Sequence, residues 1–125
     1  MKKLTKPKTR KQSIASLQRK ADALLQKKYV PMYPNCLVCG KHCEVMHHFV
    51  PKSQSSFLRY DKRNLINLCN SCHARHHLSG DPFIVGAILV AKGQEWANQL
   101  ETDRHILQKT NKGYLLEVIK ELEEE

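Results

Sequence analysis

Residues 36–77, CLVCGKHCEVMHHFVPKSQSSFLRYDKRNLINLCNSCHARHH, decide the fold of this 125-residue chain. Two Cys-x-x-Cys pairs bracket the stretch, Cys36 with Cys39 and Cys69 with Cys72. A zinc ion takes four soft ligands in a tetrahedron, and each such pair offers two thiolates from one tight turn. Gly40 supplies the permissive backbone that the turn needs after its second sulfur. The four cysteines are therefore expected to hold a structural Zn²⁺. Cys43 is left over, a spare thiol beside the knuckle that could also replace a neighbouring ligand. The 29 residues between the pairs exceed what a simple zinc ribbon needs, so something is inserted.

The insertion carries more metal-type ligands than a structural zinc requires. Glu44 to Val50 is rich in β-formers and ends at Pro51, and Leu65, Ile66 and Leu68 lead into Cys69, so two short strands are expected. Lys52 to Lys62 is polar and reads as a loop. A helix is expected from Asn70 to about Leu78. Neighbouring residues on a strand point to opposite faces, so His47 and His48 have separate duties. His73 and His77 stand four apart and stack on one helix face. His47, His73 and His77 could give a metal up to three nitrogens and leave positions open, while His48 could take a proton from water. The bland alternative makes these histidines surface or DNA-contacting residues.

In this order, "CLVCG", "MHHFVPKS" and "DKRNLINLCNSCHARHH" resemble the HNH endonucleases, over about residues 36–78. The resemblance implies a small α+β protein with a ββα-metal core. It puts the family's general base on His48 and the preceding metal ligand on His47. The asparagine that orients the hairpin falls on Asn64, and the helix-borne metal ligands fall on His73 and His77, with His76 as the alternative to His77. It implies a catalytic divalent ion, Mg²⁺ or Mn²⁺, although an imidazole-rich set also suits Ni²⁺, Co²⁺ or Zn²⁺. A weaker resemblance, carried by "DPFIVGAILVAKGQEWANQLE", is to the phage NinG/Rap recombination proteins and implies branched DNA as a partner. Phe83 stands where that family's tyrosine is expected.

Charge agrees with a nucleic-acid partner. Residues 1–30 hold ten Lys/Arg against one acid, residues 31–78 six against two, and residues 79–125 five against nine. Residues 1–12 are expected to be a disordered basic arm and residues 13–30 a helix capped by Ser13, with Ile14, Leu17, Ala21, Leu24 and Leu25 on its apolar stripe. Residues 31–80 form the HNH/zinc core. Residues 81–125 form a helical region with an acidic, solvated tail, read as helices Phe83–Lys92, Gln94–Gln108 and Tyr114–Glu124. Lys52, Arg59, Lys62, Arg63 and Arg75 are candidates for phosphate contacts, and Arg75 for charge stabilisation at the scissile phosphate.

No apolar run approaches the ~18–20 residues of a membrane span, and no secretory signal follows Met1. A cytoplasmic protein is expected, in a bacterial host if it is phage or prophage encoded. The leading function is metal-dependent DNA cleavage in phage recombination or processing, with a homodimer supplying two sites for a double-strand cut. The alternatives are a non-catalytic zinc-stabilised DNA-binding module, or an adaptor in a recombination complex. DNA binding should fall steeply with salt, by a log–log slope of about 0.9 for each phosphate neutralised, and fall further on deletion of residues 1–12. A flat response in a filter-binding titration would remove the phosphate-contact picture.

Overall fold

The computed structural model describes residues 12–124, so the arm assigned to residues 1–12 lies outside them apart from Gln12. The element order is α1 (Ile14–Tyr29), β1 (Val45–His48), β2 (Leu65–Leu68), α2 (Asn70–Ser79), α3 (Pro82–Lys92), α4 (Gln94–Asp103) and α5 (Lys112–Glu123). The fold is α+β, as the sequence implied, with β1, β2 and α2 forming a ββα unit.

β1 and β2 pair antiparallel, with Val45 opposite Leu68 and His48 opposite Leu65. Four-residue strands make too small a ladder to stand alone, so the hairpin depends on what covers its two faces. One face presents Met46 and Leu65 to a core of Leu17, Ala21 and Leu25 from α1 and Leu115, Val118, Ile119 and Leu122 from α5. The other presents Ile66 and Leu68 to the knuckle cysteines and to Ile84 and Ile88 of α3. A third cluster, Val50, Leu58 and Leu100, pins the loop between the strands to α4.

Local chemistry sets the helix ends. Ser13 caps α1 by accepting from the Ser16 amide at 3.0 Å. Asp81 accepts from the Phe83 amide, with Pro82 in the first turn of α3. Asn111 caps α5 through the Tyr114 amide at 2.8 Å. Gly80, at φ +58°, closes α2 in the left-handed conformation that lets the chain reverse into α3.

Two expectations need correction. The helix read as Gln94–Gln108 stops at Asp103. Asp103 is tied to Arg63 at 2.9 Å and Arg104 hydrogen-bonds Gln54, so contacts with the inter-strand loop turn the chain there and return it towards α1. The acidic region is also more than a solvated tail. α5 packs its apolar stripe along α1, and Lys28 Nζ donates to the Glu121 and Glu124 carbonyls at 3.2 Å.

Leu115 is fully buried between α5, α1 and the hairpin. Leu115→Ala should cost about 2–5 kcal/mol, read as a lower denaturant midpoint at unchanged slope. An unchanged midpoint would put α5 outside the cooperative core.

Candidate active site

The two knuckles converge. Cys36, Cys39, Cys69 and Cys72 place their sulfurs within 4.8 Å of one another. Tetrahedral zinc with ~2.3 Å arms sets sulfurs about 3.8 Å apart, and Cys39 and Cys69 are at 3.6 Å. Burial pushes the Cys36 thiol up, but amides of Cys39, Cys69 and Val38 bond it and bring it down to about 7, towards the thiolate that zinc needs. Cys69 also caps α2, its sulfur accepting from the Cys72 amide at 3.4 Å. The donor set fits a structural zinc. Cys43 is not part of it: its thiol is buried in the α1/α5 core, directed at the Val45 carbonyl at 3.7 Å.

The knuckle fixes the first turn of α2, and α2 then delivers its histidines to β1. His47 lies on the hairpin face turned to α2, with ring centroids 5.2, 4.7 and 5.4 Å from His73, His76 and His77. His47, His73 and His77 bring their nitrogens within 4.8 Å of one another. His47 Nε2 is buried and has no hydrogen-bond partner, an orphan that a metal would satisfy. Burial first, then the neighbouring imidazoles, push the His47 ring down to about 3, so it is held neutral as a ligand must be. Burial also lowers His73 and His76, and His76 Nδ1 is a second orphan. The residues present thus fit a divalent ion with nitrogen ligation, and the structure brings His76 to the cluster beside His77.

His48 points to the other hairpin face yet lines the same groove, a space of ≈ 790 Å³ reaching His47, His73, His76 and His77. Its Nε2 lies 2.8 Å from the Arg59 carbonyl. A carbonyl can only accept, so Nε2 carries the proton and Nδ1 keeps its lone pair. Burial lowers the ring and leaves it neutral, ready to accept a proton. Arg59 is itself held by Asp22 of α1 through two hydrogen bonds, at 2.8 and 3.2 Å, and Lys52 lies 3.9 Å from the same carboxylate.

Asn64 is fully buried, and its amide is consumed by the loop. It donates to the Val50 and Leu58 carbonyls at 2.9 and 3.3 Å and accepts from the Val50 amide at 2.8 Å. It orients the segment after β1 and does not reach the histidines. Arg75 is not brought into the groove. It stands exposed on the far side of α2, paired with Asp81 at 2.7 Å. Lys62 and Arg63 also lie elsewhere, beside Tyr29 and Trp96.

Sequence reasoning missed two contributors from α1. Gln26 grips the backbone of Met46, donating to its carbonyl at 2.9 Å and accepting from its amide at 2.8 Å. Asp22 sets Arg59, whose carbonyl orients His48. The sequence signal was Asp22 itself, the only acid in residues 1–30.

Purified protein should carry about one zinc per chain by elemental analysis, and Cys72→Ser should lose it together with cooperative melting. A zinc-free chain that melts normally would refute the structural site.

Among the described residues no helix is long and apolar enough to cross a membrane. A search of curated proteins and of solved structures finds no match to the chain. The weaker likeness to the NinG/Rap proteins is not shown by any comparison. The family model described as HNH endonuclease does match, over residues 36–78, roughly a third of the chain. Both knuckles, His47, His48, Asn64 and the α2 histidines all fall inside that span, so the ββα unit is the part of this protein that is similar to the HNH endonucleases.

Proposed function

We propose that the protein is a metal-dependent endonuclease that hydrolyses phosphodiester bonds in DNA. The observation that carries this reading is the placement of His48 in one groove with His47, His73 and His77, its Nε2 bound to a carbonyl and its Nδ1 left basic. His48 takes a proton from water at Nδ1. The water oxygen then bonds to phosphorus as the bond from phosphorus to the leaving sugar oxygen breaks. A divalent ion held by His47, His73 and His77 would supply positive charge at the phosphate and the leaving oxygen. Lys52 lines the groove and is half-exposed, which suits it to hold a phosphate; Arg59 and Asn64 act by positioning. Processing of phage or prophage DNA during recombination, in a bacterial cytoplasm, is the setting we infer, and it rests on the residue 81–101 resemblance alone.

The test is cleavage of supercoiled plasmid and of a four-way junction with Mg²⁺, Mn²⁺, Ni²⁺ or no added metal. His48→Ala should lower the rate by about 10²–10⁴-fold while melting and DNA affinity stay near wild type. Retained cleavage in the variant would overturn the assignment of the base. Binding without cleavage by wild-type protein, with every metal and with zinc present, would favour the non-catalytic DNA-binding module.

A further inference from the structure

A second groove, of ≈ 280 Å³, lies on the β2 side of the hairpin, with Leu65 and Asn67 in its wall, whereas the histidine groove is lined by β1. Three aromatic rings line it: Tyr29 at the end of α1, Tyr33 just beyond, and Trp96 in the first turn of α4. All three are half-buried. Tyr29 and Tyr33 rest on the α1/α5 core, and Trp96 packs against Phe49 with the rings tilted by 55° and their centroids 4.8 Å apart. The Trp96 indole N–H donates to the Arg63 carbonyl at 2.9 Å, which fixes the ring in place. The rings are thus anchored from behind while an edge or face of each borders open space.

Cations stand over these rings. Lys62 Nζ lies 5.9 Å from the Tyr29 centroid and Lys92 Nζ 6.0 Å from that of Trp96. Neither lysine has an acidic partner among the described residues, whereas Arg63 is neutralised by Asp61 and Asp103. An exposed lysine can leave a ring for a phosphate on the nanosecond timescale, freeing the ring face for a base. No phenylalanine, tyrosine or tryptophan lines the histidine groove, where the imidazoles of His47, His73, His76 and His77 face one another and Arg59 is held by Asp22. Rigid aromatic faces interleaved with mobile ammonium groups are what unpaired nucleotides bind. A closed duplex offers phosphates but hides its base faces.

We propose that the Tyr29–Tyr33–Trp96 groove binds unpaired nucleotides of single-stranded DNA, with bases on the rings and phosphates on Lys62 and Lys92. This rests on the endonuclease reading and deepens it: the DNA acted upon carries an unpaired segment, held across the hairpin from the histidines.

Trp96 is the single tryptophan of the chain and reports on the groove directly. The titration uses full-length His48→Ala protein, so that no cutting interferes, with a short oligothymidylate and with a duplex of equal length. Saturable quenching of Trp96 is expected with the single strand and at much lower concentration than with the duplex. The Lys62→Gln/Lys92→Gln pair should weaken it about tenfold. Tyr33→Leu, which keeps apolar bulk but removes the ring, should weaken it too. No quenching, equal quenching by duplex, or indifference to Tyr33→Leu would overturn the proposal. Quenching in a protein whose wild type cuts no DNA would sink the nuclease reading and leave this groove standing; cutting without quenching would do the reverse.

Discussion

Four thiols within 4.8 Å of one another join the chain just before β1 to the chain just after β2, and the remaining geometry hangs on that closure. A hairpin of two four-residue strands and a ten-residue helix have little reason to hold a fixed angle by themselves. Cys69 is at once a candidate zinc ligand and the cap of α2, so the sulfur cluster sets where that helix starts and which way it runs. Everything that His73, His76 and His77 can do follows from that starting point. The same frame fixes the His47 ring against α2, where an ion would satisfy its buried Nε2.

The candidate site is wider than the span that matches the HNH model. The HNH match begins at residue 36, yet Gln26 seals the outer backbone of β1 at Met46, and Asp22 fixes the arginine whose carbonyl sets the His48 tautomer. α1 therefore stands to His48 as the knuckle stands to His47. One half of the groove is braced by sulfur and the other by a helix from outside the motif.

What could be read from the sequence was what depends on short-range spacing. The cysteine pairs, the strands flanking the loop, and the cap at Ser13 all declare themselves within a few residues. The geometry that escaped is set by partners far along the chain, as with the Asp103–Arg63 pair that ends α4 and the α5 stripe that seeks α1. Arg75 is instructive because its position was within reach. Residues advance about 100° along a helix, so Arg75 lies about 200° round from His73 while His76 and His77 come back to it. Helical phase alone directs that guanidinium away from the histidine groove, where Asp81 receives it. Lys62 and Arg63 precede β2 directly, yet the turn held by Asn64 sends them to the other side of the hairpin.

The pairing of α1 with α5 brings together segments separated by nearly the full described chain. Such a contact closes a longer loop than the pairing within the hairpin does, although the entropic cost grows only slowly with loop length. During synthesis, α1 emerges first and has no helix to cover its apolar stripe until α5 has left the ribosome. The knuckles and the α2 histidines can organise earlier, from sequence that is all local to them. The nascent protein would therefore pass through a stage with its candidate metal ligands gathered and α1 laid on the hairpin, but with the outer stripe of α1 still open to water until α5 covers it.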